Sequence, residues 1–362
     1  MTRGSVVIPS RGGAERLPRI LAALVAQQGS DWEAVVVLDG DIDDSAAVVA
    51  RYAVDHPVRA VVFPENQGRA AALNAGFATA EGDVLIRADD DLEPGTDYVA
   101  RHVAHHEAAW ARGEEVGIVG MCWDVFPATP YSRAYGEAAD RRIRATAYQA
   151  PADQTWRYWC GNVSTSRATY DRIGPYDEAF RAYGMEDIDW GYRLHRVGVP
   201  VHIAPDVACA HHSTAMTTVE RATRAFSSGA SRRAFERKHG TGPLAARQAA
   251  SGSAADVDAA ADADAQRVRQ DPWSALVRTA ARGLTPSRVR QYAGLVDRVL
   301  PVLPRPVGEK AVALVVESAG LAGLSGSPGS PGSTGSTGLT GSTGSAAATA
   351  SASAPPEHRD TP

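Results

Sequence analysis

Along the first two thirds of the chain, short apolar runs alternate with stretches of helical spacing. Val6-Val7-Ile8, inside Ser5–Pro9, reads as a strand. After the turn Ser10-Arg11-Gly12-Gly13, the residues Leu17, Ile20, Leu21 and Leu24 recur at helical intervals within Glu15–Gln28. Strands at Glu33–Leu38 and Arg59–Phe63 flank a helix over Ala46–Asp55. Glu65-Asn66-Gln67-Gly68 turns into an alanine-rich helix, Arg69–Ala80, which Gly82 stops before the apolar run Val84–Ile86. Such alternation predicts an α/β fold whose first strands are parallel and joined by right-handed crossovers.

Helical spacing returns over Thr96–Arg112, and a strand fits Val116–Val125. Pro130–Gln149 reads as a basic, partly amphipathic helix or a mobile segment, Thr155–Ser166 as extended and Arg167–Ile173 as a short helix. Gly184-Met185-Glu186-Asp187-Ile188-Asp189-Trp190 opens a helix reaching Val197. Short strands at Val201–Ile203 and Val207–Ala210 lead to His211-His212, and Thr218–His239 reads as one long helix. Past Gly240 the composition changes. The expected organisation is an α/β domain over 1–242, with halves 1–125 and 126–242, and a loose Ala/Asp/Ser-rich linker over 243–270. Helices over 271–324, broken at Pro286 and Pro301, complete it, with a Gly/Ser/Thr/Pro/Ala tail over 325–362. The tail has no apolar area to bury and is expected to be disordered.

The 362 residues are 44% hydrophobic, enough for a substantial core. A net charge of −5 leaves no nucleic-acid footprint, although basic pairs stand at Arg141-Arg142 and Arg232-Arg233. Cys122, Cys160 and Cys209 are odd in number and widely spaced, which fits a reducing compartment and no zinc site. No signal peptide is expected ahead of the first strand, and no run of about 18 apolar residues predicts a membrane span. A cytoplasmic protein follows, with peripheral contact at the inner face of the membrane allowed.

The candidate chemistry starts at Asp89-Asp90-Asp91, directly after the strand that begins at Val84. Ligands in open α/β sheets bind beyond the carboxyl ends of the strands. Three adjacent carboxylates there call for a cation, and Mn²⁺ or Mg²⁺ shares such oxygens with substrate phosphates.

Five segments, in order, are similar to the family-2 glycosyltransferases of GT-A fold. They are Val6-Val7-Ile8-Pro9-Ser10, Val36-Val37-Leu38-Asp39-Gly40, Asn66 to Gly76, Asp89-Asp90-Asp91 and Gly184-Met185-Glu186-Asp187-Ile188-Asp189, within Ser5 to Gly240. The resemblance implies a Rossmann-like mixed sheet flanked by helices. It implies donor contacts at Pro9, Ser10, Arg11, Asp39, Asn66, Gly68, Arg69, Asn74, Asp89 and Asp90. The metal would bind Asp89 with Asp91, or Asp89 with Asp90, and His211, or alternatively His212, would add a nitrogen. Asp187 would be the base, and Trp159, Gly161, Asn162, Glu186 and Asp189 would meet the acceptor. Many members carry an acidic residue where Arg87 stands, and the Gln-x-x-Arg-Trp signature of processive synthases is absent.

Physical chemistry supports these roles independently. Asp39 at a strand end can accept the imide N–H of uracil or thymine, or serve only as a turn acceptor. Gly68 admits close backbone approach, and Arg69 can neutralise a diphosphate. Glu186 and Asp189, three apart, project from one side of a helix. Trp156, Trp159 and Trp190 are candidates for stacking on sugars or for the core. The expected activity is a non-processive, inverting, metal-dependent transfer from a nucleotide-diphosphate sugar, a UDP-sugar first, to a hydroxyl of a glycan, a lipid-linked or a small-molecule acceptor. The rival readings are a sugar-phosphate nucleotidyltransferase and a binding protein that has lost catalysis.

Overall fold

The computed structural model describes residues 2–181, 183–212, 214–245 and 271–326. Most of the expected linker and all of the expected tail except its first two residues lie outside the described residues.

The central sheet has seven strands. They are β1 (Arg3–Ser10), β2 (Asp31–Leu38), β3 (Val58–Val62), β4 (Val84–Ala88), β6 (Gly117–Val119), β8 (Asn162–Ser166) and β9 (Val201–Ile203), in the order β3-β2-β1-β4-β8-β6-β9. The first four are parallel, joined through α1 (Leu17–Val25), α2 (Ser45–Ala53) and α3 (Arg69–Thr79). β8 runs antiparallel to both β4 and β6, so the sheet is mixed.

Buried on both faces, the central strands read as continuous apolar runs. Their side chains still alternate. Val7, Val35, Val37 and Leu85 join a core with Phe77 of α3, Trp159 and Trp190. Val6, Ile8, Val36, Leu38 and Ile86 join the opposite core with α1 and with α4 (Tyr98–Trp110). The register sets Val7 beside Val35 and Val6 beside Ile86.

A second sheet carries much of the site. β5 (Leu92–Glu93), β7 (Trp123–Asp124) and β10 (Ala210–His211) lie in the order β5-β10-β7. The strand expected over Val116–Val125 is thus divided, because the chain crosses from one sheet to the other at Gly120–Cys122. Any side chain at Gly120 would strike Asn162. Likewise Val207–Ala210 is largely not strand: Pro205–Val207 forms a 3₁₀ turn, and pairing begins at Ala210. Thr155–Tyr158, expected to be extended, is also a 3₁₀ turn, with Thr155 Oγ1 bonded to Val201 O at 2.6 Å.

A π-helical turn at Ser132–Gly136 runs into α5 (Glu137–Tyr148). α6 (Arg167–Ile173), α7 (Glu186–Arg196) and α8 (Thr218–His239) follow, and Gly242–Ala245 forms one further turn, α9. Beyond residue 270 lie α10 (Pro272–Ala281), α11 (Pro286–Val299) and α12 (Arg305–Ser325). Each of these three begins with proline in its first two positions, where the missing N–H costs nothing. α12 packs along α8, and a third core of Ala222, Ala225, Val289, Ala293, Val312 and Val316 joins these helices. Gly229 and Gly323 sit in that contact with no room for a Cβ: the Gly320 carbonyl abuts the first and the Phe226 carbonyl the second. Among the described residues no helix is long and apolar enough to cross a membrane.

Candidate active site

β4 delivers the acidic triplet, and the three carboxylates part company at once. Asp90 is 7% exposed and turned to α1, accepting from Arg16 at 2.8 and 3.0 Å and from Ser10 Oγ at 2.5 Å. Burial raises its pKa against the pull of Arg16 and Ser10. Asp90 and Ser10 therefore brace each other, and neither carries its polar group free toward a donor.

Asp91 faces the small sheet. Pairing of β10 with β5 and β7 sets His211 beside both Leu92 and Asp124. His211 Nε2 lies 3.3 Å from Asp91 Oδ2, and its Nδ1 lies 2.6 Å from Asp124 Oδ1. Burial would lower the His211 pKa, but the two carboxylates overcome it and hold it up at about 10. Burial likewise opposes ionisation of Asp91, and His211 and Arg16 outweigh it. Asp91 Oδ1 is buried without a hydrogen-bond partner. His212 is turned away, to Glu93 at 2.6 Å.

Asp89 occupies the third direction. Its N–H donates to Gly161 O at 3.0 Å, a consequence of β4–β8 pairing through Ala88 and Asn162. A Cβ on Gly161 would stand 2.5 Å from Asp89 Oδ2, so any larger residue there would displace the Asp89 carboxylate. Arg87, fully buried, donates to Asp89 Oδ1 at 3.0 Å and to Asp187 Oδ1. Arg69 lies 3.6 Å from Glu186. Two segments a hundred positions apart in the chain are thus joined as Asp89–Arg87–Asp187, with Arg69–Glu186 alongside.

α7 aims Glu186 and Asp187. The preceding Gly184 and Met185 both have positive φ, 81° and 75°, and Met185 is the one non-glycine residue in that region among the described residues. For a side chain as large as methionine this conformation is costly, and such strain gathers at functional positions. Burial, with Glu186 and Asp89 adding to it, pushes Asp187 up to about 7 against the pull of Arg87 and Arg69.

The donor-side loops are braced from β2. Asp39 accepts from Gln67 N at 2.6 Å and Gly68 N at 3.0 Å, and Arg11 donates to Asp39 O at 2.6 Å. Asn66 and Arg69 are exposed beside this brace, and Pro9 and Gly68 are half-buried.

Several expected contacts need correction. Trp159 is 2% exposed, stacks on Trp190 with centroids 4.9 Å apart and donates to Tyr176 Oη, so it is core and offers no face to a sugar. Trp156 and Trp190 are buried too. Asn162 is fully buried, accepting from Tyr98 Oη at 2.8 Å and donating to Val207 O at 2.9 Å. Asp189 points away from Glu186 to Arg193, Lys238 and His239, at 3.0, 2.7 and 2.7 Å, and ties α7 to the end of α8. Asn74 clasps the backbone of Tyr176, rather than a donor, at 2.8 and 3.0 Å.

Sequence reasoning noted Arg87 only as a departure and did not single out Arg16 or Asp124. The available signal for Asp124 was an acid closing the strand read at Val116–Val125. Nor did spacing show that Cys122 and Cys209 meet, their free thiols 3.5 Å apart beside β10.

Residues 5–174 match the model of glycosyl transferase family 2, and residues 141–217 match one described as the N-terminal domain of galactosyltransferase. The validoxylamine A glucosyltransferase of Streptomyces hygroscopicus subsp. jinggangensis is 32% identical over 231 residues, 55% of this chain and 53% of that one. The mannosyltransferase PcManGT from Pyrobaculum calidifontis, solved with GDP-Man and Mn²⁺, superposes with a TM-score of 0.53 at 18% identity, over 89% of this chain and 87% of that one. S. aureus TarS 1-349 with UDP-GlcNAc gives 0.51 at 13% identity, over 89% and 90%. The match spans between 29% and 64% of the length of the curated relatives. The match to glycosyl transferase family 2 covers residues 5–174, and the architecture of the chain is the GT-A fold.

Proposed function

We propose that this transferase moves a sugar, with inversion, from a nucleotide-diphosphate sugar to an acceptor hydroxyl, one transfer per encounter. The observation that carries the reading is the convergence of Asp187 on Asp89 through the buried Arg87. It puts a carboxylate suited to accept a proton beside the strand end where a donor would lie.

An inverting transfer is a single displacement. The acceptor oxygen bonds to the anomeric carbon as the diphosphate leaves, and a base takes the hydroxyl proton. Asp187 is the candidate base. Arg69 neutralises charge on the leaving diphosphate, as fits its exposure at the N-terminus of α3. Glu186, buried and 3.6 Å from Arg69, is the candidate to meet the acceptor. Asp39 holds the 66–68 loop and keeps a further lone pair on each oxygen for a base imide, which supports a UDP-sugar.

The residues present fit a divalent cation. Asp91 Oδ1 is buried and unpartnered, and His211 Nε2 faces the same carboxylate while Asp124 fixes the other ring nitrogen. Among the described residues no group of three such side chains forms a complete cage. Few protein ligands, with phosphates filling the rest, is the ordinary Mg²⁺ or Mn²⁺ arrangement. Asp91 and His211, with Asp89 adjoining, would hold it. Bound there, the ion supplies Lewis-acid stabilisation to the departing diphosphate.

Thermal shift against a panel of nucleotide sugars with Mn²⁺ tests the donor, since a ligand of the native state raises the melting point by mass action. Turnover with the donor so found then tests catalysis. Binding without transfer or hydrolysis would mean that the chain has lost catalysis.

A further inference from the structure

α11 and its junction with α12 carry a surface that sugar transfer does not use. α11 buries Val289 and Ala293 and leaves Tyr292, Leu295 and Val299 exposed, at helical spacings of three and four. The stripe runs on past the helix end into Val302, which is 82% exposed, and Val307, which is 50% exposed. Large apolar side chains gathered in this way mark an interaction site.

Within the stretch itself, residues 282–310, the exposed charges have one sign. Arg282, Arg288, Arg290, Arg298, Arg305 and Lys310 are exposed. The two acids of this stretch are half-buried and engaged: Asp297 accepts the N–H groups of Thr218 and Val219, and Glu309 accepts from Arg142. Every exposed charged side chain from 282 to 310 is therefore cationic, in a chain whose net charge is −5. Beside the junction lies a cleft of about 320 Å³, with Leu300, Pro301 and Leu303 among its apolar walls and Arg133, Arg305 and Glu137 among its polar ones.

We propose that this elbow, α11 through the first turn of α12, docks on an anionic lipid surface. The apolar stripe enters the headgroup boundary, and the surrounding guanidinium and ammonium groups meet lipid phosphates. A second copy of the chain is a poorer occupant, because a two-fold contact would press this cationic surface against itself. The elbow lies on the bilayer without spanning it, and its docking is independent of which sugar is transferred.

The test is flotation of the full chain with vesicles of phosphatidylcholine alone or mixed with phosphatidylglycerol. The expected result is binding to the mixed vesicles only, weakening as salt screens the charges. Arg298→Glu with Arg305→Glu should lower the bound fraction roughly 10-fold or more. Leu295→Ser with Val302→Ser should lower it at constant charge, and Val54→Ser, at a site 78% exposed elsewhere, should leave it unchanged. Melting points identify any unfolded variant, and the serine pair decides if the charge reversal does not fold. Absence of flotation, equal binding to both vesicle types, or binding indifferent to both double variants would overturn the proposal. A dimer in sedimentation that Leu295→Ser abolishes would assign the surface to a second copy instead.

Discussion

Asp187→Asn keeps the size of the side chain and most of its hydrogen bonding but cannot take up a proton. Its kcat should fall by roughly 10²–10⁴-fold while nucleotide affinity, measured by calorimetry, barely changes. A near-normal kcat would remove Asp187 from the role of base. At Asp91 the expected loss is different. Asp91→Ala removes both the unpartnered buried Oδ1 and the Oδ2 that faces His211, and Mn²⁺-dependent nucleotide binding should disappear from calorimetry. Asp90→Ala should leave that metal dependence in place and lower the melting point, because it releases Arg16 and Ser10. The triplet was legible in the sequence as a carboxylate cluster at a strand end. Which oxygen faces where was not, because consecutive residues at a strand end diverge and their side-chain partners, Arg87, Arg16 with Ser10, and His211, come from separate parts of the chain. Trp159 and Asn162 show the same limit from the other side. Their residue types suit sugar recognition equally well as core packing, and only burial separates the two.

Among the elements, α7 is held at both ends by charge. Its first turn meets Arg69 and Arg87, and Asp189 fastens it to Lys238 and His239 at the end of α8. Asp189→Ala should cost roughly 2–3 kcal/mol in urea unfolding, less than a wholly buried pair because Lys238 is partly exposed. The acceptor KM should not move; a change in KM would return Asp189 to the acceptor site. The expectation from spacing placed Glu186 and Asp189 on one side of the helix. Three residues advance about 300°, so the two side chains differ in direction by about 60°, enough at this junction to face different neighbours. The helices at Arg167–Ile173 and Thr218–His239 matched expectation to the residue, since a serine or threonine cap begins each and glycine follows each. The small sheet was not legible: β5, β7 and β10 have two residues each, too few for any periodicity.

At the scale of the whole molecule, acid should unfold the protein through α4. His102 and His106 are both fully buried and share Ser164 Oγ at 2.8 and 2.9 Å. Burial, with neighbouring histidine charge, lowers His102 to about 3, and burial lowers His106 to about 4. Unfolded, each would titrate near 6.5, so the unfolded state binds more protons below that value. Their stabilisation is complete above about pH 6.5 and is lost as pH falls toward the folded values, by at most about 1.4 kcal/mol per pH unit for each ring. Melting points of His106→Gln should fall less steeply between pH 6.5 and 4.5 than those of the parent; equal slopes would contradict this. The parallel half of the sheet was readable from alternation, whereas the return of β8 between β4 and β6 was not, because antiparallel insertion leaves no mark on a five-residue buried strand. The glycine contact between α8 and α12 has a consequence in time. α8 leaves the ribosome well before the helix that covers it, and its face at Gly229 stays open until Gly320 and Gly323 arrive. Domains settle as units during synthesis, so the catalytic half waits on its own C-terminal helix. A chain halted after Ala245 should therefore be cut within α8 by a protease that spares the finished protein, and resistance at that stage would show that the earlier half matures alone.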